Sequence, residues 1–426
     1  MSIATEITKL QTNLSDSYNA VSAKGGTLPA AQNFDNLANA ISTITGGSAE
    51  VAPYEVSSGV ASRSTLVLTG NEFSNITQVA NYGLSYTFYR CTGLTGTVDL
   101  SSITSIGQEG MLYTFAYCTG LTGSIDLSSL TSVSTTSLAD TFTHSNITSI
   151  DISALTTLSS DSCLASICLG CTQLTSMDMS GVTTISGTSA LRSAFKNCTS
   201  LASIDLSSLT TISGTEPLWY TFEGCTALTT LSLPALTTIS GTAMTYTFRD
   251  CTALTSVSMP LLTSIAGMSY TFENCQALTS INMQSLTTVK TAGMSQAFYK
   301  CISLTSVSFP ALTTVQERGL SYTFHNCTGL TTASFPVLST LGKSALQAAF
   351  FGCTALTDVY FNALTTTSFD GTYVFSTMME STGSNVTHNL HFPSNLQTAV
   401  SGLTGYPTFG GTSGYVNCLF DLPATN

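Results

Sequence analysis

Apolar and polar positions alternate along most of this chain in one phrase, written repeatedly. In the stretch Phe195 to Ile212, "FKNCTSLASIDLSSLTTI", Phe195 and Cys198 stand three apart, as on one face of a tight helical turn. Leu201 follows, then Ile204 and Leu206 alternate with Ser203 and Asp205. That period of two predicts a short strand with one buried face. Leu209 and Ile212 turn back under the core, and a Ser/Gly/Thr loop leads to the next aromatic. The phrase recurs as "YTFYRCTGLTGTVDLSSITSI" from Tyr86, "YTFEGCTALTTLSLPALTTIS" from Tyr220 and "YTFHNCTGLTTASFPVLSTLG" from Tyr322.

Its marker cysteine falls at Cys91, Cys118, Cys171, Cys198, Cys225, Cys251, Cys275, Cys301, Cys327 and Cys353, with Ser145 in the one vacancy. The steps are 24 to 27 residues. A period this steady means a solenoid, because a unit of that size buries its apolar face only by stacking on the next. The fold expected is a repeat solenoid of parallel β-strands. It has about eleven coils with short helical or 3-10 turns, behind a small helical N-terminal segment. A phenyl column (Phe88, Phe115, Phe142, Phe195, Phe222, Phe248, Phe272, Phe298, Phe324, Phe350) is interrupted once, by Cys168. Pro234, Pro260, Pro310 and Pro336 follow the strand, where a missing N–H ends pairing.

This order of aromatic, cysteine and "L-x-x-[IV]-x-[LF]" resembles the BspA-like leucine-rich repeats over roughly residues 64 to 366. The units here are longer than that family's usual ones, so the return loops should be roomier. The resemblance implies a right-handed, arc-shaped solenoid of the sort carried by surface and adhesive proteins.

The ends differ in kind. Residues 1–46 carry Ile3, Ile7, Leu10, Leu14 and Tyr18 at steps of four and three, an amphipathic helix stopped by Gly25 and Gly26. A second stripe follows at Phe34, Leu37, Ile41 and Ile44. Two such helices must dock on something. The opening "MSIATEITKLQTNLSDSYNAVSAKGGTLPAAQNFDNLANAISTI" resembles N-terminal segments of tail-fibre and tail-associated proteins from phages of Gram-positive bacteria. The expected organisation is an attachment and oligomerisation segment at 1–46, then a linker and N-terminal cap at 47–85. The solenoid fills 86–366, and a C-terminal cap or tip occupies 367–426. The tail reads as a strand, a short helix from Ser394, a Gly-rich turn and a last strand ending at Leu422.

Composition narrows the function classes. Charged residues are 8% of 426, about a third of the usual share, and Ser, Thr and Asn supply the polarity instead. A net charge of −12 with 11 Lys plus Arg argues against nucleic acid. No apolar stretch is long enough to span a bilayer, and the N-terminus lacks the features of a secretory signal. The thirteen cysteines suggest a disulfide framework until their phase is read. One per coil makes a column at about 4.8 Å, where a bridge wants about 3.8 Å between Cβ atoms. They read as small buried thiols, with disulfides or a metal site as alternatives; Cys163, Cys168 and Cys171 lack a fourth ligand for zinc.

Two columns bear on binding. Asp99, Asp126, Asp151, Asp178 and Asp205 occupy one outward strand position in consecutive coils, and later coils carry Ser232, Ser258, Asn282, Ser308, Ser334 and Tyr360 there. Stacked carboxylates repel by roughly 1–3 kcal/mol per pair before screening. They are either a solvated stripe or a weak calcium site. Tyr86, Tyr113, Tyr220, Tyr246, Tyr270 and Tyr322 form the other line, with Trp219 beside Tyr220. These rings either cover the core or bind a ligand, Trp219, Tyr220, Tyr246, Tyr270 and Tyr322 being the candidates, since aromatic faces among hydroxyls suit sugars and protein hot spots. Lys196, Glu223, Arg249 and Glu273 read as a surface ion-pair ladder.

No catalytic grouping emerges: His144, His325, His388 and His391 are scattered, and no phosphate loop or two-histidine metal motif occurs. The expectation is a non-enzyme with no cofactor beyond weak calcium. It is a phage tail fibre or tail-tip protein in the virion tail, joined to other tail proteins and trimerised through residues 1–46. Its solenoid recognises a host surface glycan or protein, with neither nucleic acid nor membrane insertion. The alternative is a bacterial surface adhesin. A polysaccharide depolymerase and an ice-binding surface on Thr210, Thr211, Thr237 and Thr238 are weaker readings.

Overall fold

The computed structural model describes residues 67–69, 73–365, 367–369, 374–375, 377–379, 387–403, 405–409 and 416–424. The expected helices of residues 1–46 lie outside them. The chain divides into two compact units, residues 1–182 with 187–205 and residues 183–186 with 206–426. The fold class is a leucine-rich-repeat-like parallel β-solenoid of about twelve turns with little helix.

Within the first unit, strands Thr122–Asp126, Asn146–Asp151, Ser176–Asp178 and Ser203–Asp205 pair in parallel, each with the next. Ile125, Ile150, Met177 and Ile204 stand in register, and so do Asp126, Asp151, Asp178 and Asp205. The second unit repeats this with Thr230–Ser232, Ser256–Ser258 and Ser280–Asn282. Most coils also carry a second, two-residue strand not expected from the sequence, such as Thr211–Ile212, which pairs with Thr238–Ile239. Two residues are too few to show a period; the pairing comes from stacking alone.

The sheet of Ser306–Ser308, Thr332–Ser334 and Asp358–Tyr360 runs on, still parallel, into tail strands His388–Pro393 and Val416–Leu422. These extra rungs raise the count above eleven. Between them lie a 3-10 turn, Ser394–Leu396, and a short α-helix, Gln397–Ser401. Phe309, Phe335, Phe361, Phe392 and Phe420 stack in sequence across the same boundary, with ring centroids 5.4–5.8 Å apart.

The main phenyl column is a ring stack as well. Phe88, Phe115 and Phe142 lie 5.3 and 5.5 Å apart in the first unit. Phe222, Phe248, Phe272, Phe298, Phe324 and Phe350 lie 5.1–5.6 Å apart in the second. Beside the rings, marker thiols donate to a carbonyl one coil back, among them Cys118 to Phe88, Cys275 to Phe248 and Cys327 to Phe298, at 3.0–3.2 Å. That carbonyl already accepts its own coil's cysteine N–H. The position therefore needs a side chain small enough for the core yet able to donate, which describes a thiol. Burial pushes Cys251, Cys301 and Cys353 above the ordinary thiol value, keeping them neutral.

The expected helical or 3-10 turns are absent from the aromatic segment of the coil. In Met111–Cys118, alternate N–H groups divide their allegiance. Leu112, Thr114, Ala116 and Cys118 bond three residues back, while Met111, Tyr113, Phe115 and Tyr117 bond carbonyls of the next coil at 2.7–3.2 Å. A 3-10 helix spends every N–H inside its own coil. Stacking claims half of them, so the segment becomes a run of overlapping β-turns. Every second turn needs a left-handed residue in third place, and φ is positive at Glu109, Tyr113 and Tyr117, then at Thr136, Asp140 and His144.

Candidate recognition surface

The left-handed positions decide what the surface shows. One lies just before the cysteine and is filled by Asn197, Asp250, Asn274, Asn326, Gly170, Gly224 and Gly352 among others. Asn, Asp and Gly tolerate that conformation best. This was the legible signal of the turn run, and the sequence reading passed over it. The position four residues earlier holds the tyrosine line: Tyr86, Tyr113, Tyr220, Tyr246, Tyr270 and Tyr322 all have φ of 54–58°. A ring there leaves the core and lies along the outside of its coil.

The rings then stack on each other. Trp219, Tyr220, Tyr246 and Tyr270 form one continuous stack in the second unit, with centroids 4.7–5.0 Å apart and planes 17–22° off parallel. The Gln296 amide donates to the Tyr270 hydroxyl and ends the row. Tyr322 is not part of it and packs on His325 instead, at 5.7 Å. In the first unit Tyr86 and Tyr113 stack at 5.0 Å, and Tyr89 sets its edge against Tyr86, Tyr113 and Tyr117 at 5.8 Å each. Arg90 lies over Tyr89 and Tyr117. Sequence reasoning missed Tyr89, Tyr117 and Arg90 because residue type varies from coil to coil at their positions, the one after the phenyl ring and the one before the cysteine. Burial and the Asp140 carboxylate together push the Tyr113 hydroxyl up to about 12.

Stacking changes the chemistry on offer. Sugar recognition through ring faces needs bare faces, and here most are covered by the neighbouring ring. What Tyr220, Tyr246 and Tyr270 present, half-buried as they are, is a row of edges and hydroxyls. Beside it Arg249 lies over Tyr246 and between carboxylates, 3.9 Å from Glu223, 3.5 Å from Asp250 and 3.4 Å from Glu273. Burial raises the Glu273 carboxyl even with Arg249 opposing it.

The aspartate column is aligned as expected, and its oxygens have work within the turn. Asp126, Asp151 and Asp178 each accept the N–H of the residue two ahead, Ser128, Ser153 and Ser180, at 2.9 Å. Asp99 accepts both the Ser101 hydroxyl and its N–H, and those two bonds hold its carboxyl below the ordinary range. In the second unit the residue two ahead of Ser232, Ser258, Ser308 and Ser334 is a proline, which has no N–H to satisfy. Asn282 proves the rule: it is followed by Gln284, and its side-chain oxygen faces that N–H at 3.4 Å. The carboxylate row is thus a set of turn-closing acceptors. No group of three or more metal-binding side chains occurs among the described residues.

Accordingly, Asp151→Ala should cost about 1 kcal/mol, the usual worth of such a cap. Asp151→Ser with Ser153→Pro, which rewrites the coil as the one from Ser232 to Leu236, should recover most of it in urea unfolding. Calorimetry of the native chain with calcium should show no binding heat.

One of the histidines is enclosed by carboxylates. His391 sits between Asp358, at 3.0 Å from Nε2, and Asp421, at 2.9 Å from Nδ1, with Tyr360 stacked on its ring at 4.4 Å. Burial raises the Asp358 carboxyl, but hydrogen bonds from His391, Thr357 and Asn389 outweigh it and bring it below the ordinary range. The cluster ties the last strand to the sheet. Surface threonines, half-buried Thr210 and exposed Thr237 and Thr263 among them, donate their hydroxyls to carbonyls one coil back.

The family model for the BspA type leucine rich repeat region matches in six copies, over residues 84–215, 191–293 and 242–382. A leucine-rich repeat protein from Bacteroides ovatus ATCC 8483 is 17% identical, with 83% of this chain and 87% of that one covered at a TM-score of 0.38. A leucine rich cell surface protein from Faecalibacterium prausnitzii A2-165 is 20% identical, covering 74% and 86% at 0.27. A leucine-rich repeat protein from Eubacterium ventriosum ATCC 27560 is 21% identical, covering 66% and 84% at 0.34. No curated protein matches the chain.

Proposed function

This chain belongs to the BspA-type leucine-rich-repeat family, and from that premise we propose that it is a non-enzymatic recognition protein working at a bacterial cell surface. Repeats of this family are generally binding rather than catalytic units. The observation that carries the reading is the stacked row Trp219, Tyr220, Tyr246 and Tyr270. Packed rings lose little freedom when a partner lands on them, so their edges and hydroxyls offer contact at low entropic cost. A protein or glycan surface rich in hydrogen-bonding groups fits that row. The adhesin reading accounts for the family and the surface together.

A second reading, a phage tail fibre or tip, draws its support from the resemblance of residues 1–46 to tail proteins. In it that segment attaches and trimerises the molecule, and the same row meets the host. Immunogold labelling separates the two: gold on cell envelopes supports the adhesin, gold on particle tails the fibre. For either, fluorescently labelled protein should bind whole cells. Trp219→Ala and Tyr246→Ala should each weaken binding by about 2 kcal/mol, as central aromatic contacts do. Unchanged binding in both variants would remove the row from the argument.

A further inference from the structure

The two lapses in the repeat meet at one sulfur. Ser145 is the position where the cysteine column fails, and Cys168 is where the phenyl column fails. The Ser145 hydroxyl lies 3.6 Å from the Cys171 sulfur, the Cys171 thiol donates to the Phe142 carbonyl at 2.9 Å, and Cys168 stands three residues before it. Cys168 and Cys171 are the ends of one β-turn, "CLGC", closed by the Cys171 N–H on the Cys168 carbonyl at 3.0 Å, with Gly170 left-handed at φ 69°. Such a turn brings its end residues within the Cα separation a disulfide needs. In the other coils the partner of the marker cysteine in this turn is a phenyl ring, so the arrangement belongs to this coil.

We propose that Cys168 and Cys171 are a redox-active dithiol, oxidised by peroxide to an internal disulfide. Cys171 is the attacking sulfur. Burial pushes the Cys168 thiol up, whereas the Ser145 hydroxyl, 3.6 Å from the Cys171 sulfur, is placed to donate to its thiolate. Its thiolate attacks one oxygen of hydrogen peroxide and the O–O bond breaks. The departing hydroxide takes the Cys171 proton as water, leaving a sulfenic acid. The Cys168 sulfur then attacks the Cys171 sulfur and the S–O bond breaks. Hydroxide leaves with the Cys168 proton as a second water, so two thiols and one peroxide become one disulfide and two waters. Both sulfurs are fully buried, but Leu169 and Gly170 between them are partly exposed. The exposed His144 ring, stacked on Tyr117 at 5.0 Å, packs against Gly170 so closely that a Cβ there would strike it.

The test is limited peroxide treatment of the reduced full-length chain, followed by thiol alkylation and peptide mapping. The expected product links Cys168 to Cys171 while Cys118, Cys251 and Cys275 remain alkylated. Cys168→Phe restores the phenyl column, so it should fold. It should stop Cys171 at the sulfenic acid, trapped by a 1,3-dione. Ser145→Ala should slow that step by about tenfold, the worth of one hydrogen bond to a charged acceptor. The proposal is overturned if the column cysteines oxidise as fast as this pair. It is equally overturned if Cys168→Phe yields no trapped adduct on Cys171.

Discussion

Phe272→Ala should lower the unfolding free energy by about 3–5 kcal/mol, the largest loss expected of a single side chain here. The ring is fully buried, and it stacks on Phe248 at 5.6 Å and on Phe298 at 5.3 Å. Truncation therefore removes two ring contacts, each worth about 0.5–1.5 kcal/mol, and opens a cavity between coils held apart by their own strand pairing. Backbone spacing stops neighbouring rings from closing the gap, so the cost should sit at the high end for a phenyl group. In a solenoid each coil is held by its neighbours, so the lesion should also weaken cooperativity and lower the denaturant m-value. Urea unfolding followed by circular dichroism measures both. A loss under about 1 kcal/mol would mean that the stack contributes little beyond filling space.

Asn274→Val should cost about 2–3 kcal/mol, although the side chain is only half-buried. Its φ is 60°, a conformation in which a β-branched side chain collides with its own backbone. The turn cannot relax, because the Asn274 N–H is committed to the Tyr299 carbonyl at 2.7 Å and the Cys275 N–H to the Phe272 carbonyl. The substitution also loses the bond from the Asn274 amide to Asp250, at 2.7 Å. Asn274→Gly separates the two causes, since it drops the side-chain bond and keeps the backbone free. Thermal unfolding should place the glycine variant close to the parent and the valine variant well below it. Equal melting points for the two would show that strain is not what matters there.

Both expectations concern positions whose importance was unequally visible beforehand. Phe272 announces itself, because the phenyl column repeats with the period and a repeated apolar residue has to be core. The strands around Ile204 and Val257 were legible for the same reason, whereas the short helical stretch from Ser394 and the last strand ending at Leu422 were read without a period. Asn274 looked like one more polar surface residue. Its role depends on which N–H groups point to the next coil, and no count of residue types reveals that. The same gap separates the aspartate row from its explanation. Alignment of Asp126, Asp151 and Asp178 followed from the period, whereas their bonds to Ser128, Ser153 and Ser180 needed the turn. The proline that replaces serine in later coils was on view in the sequence, with its meaning missing.

For the candidate surface the division is sharper. Sequence alone established that Tyr220, Tyr246 and Tyr270 are in line, because a fixed period converts equal phase into vertical alignment. Only the tertiary structure decided that Tyr322 stands outside the row, that ring faces are spent on each other, and that His391 lies between Asp358 and Asp421. Likewise it alone brought Ser145, Cys168 and Cys171 together, two departures from the pattern in adjacent coils. The physical reason is common to all of these. Periodicity encodes which residues are equivalent, but orientation is set by hydrogen bonds and ring contacts between coils, and those exist only once the coils are stacked.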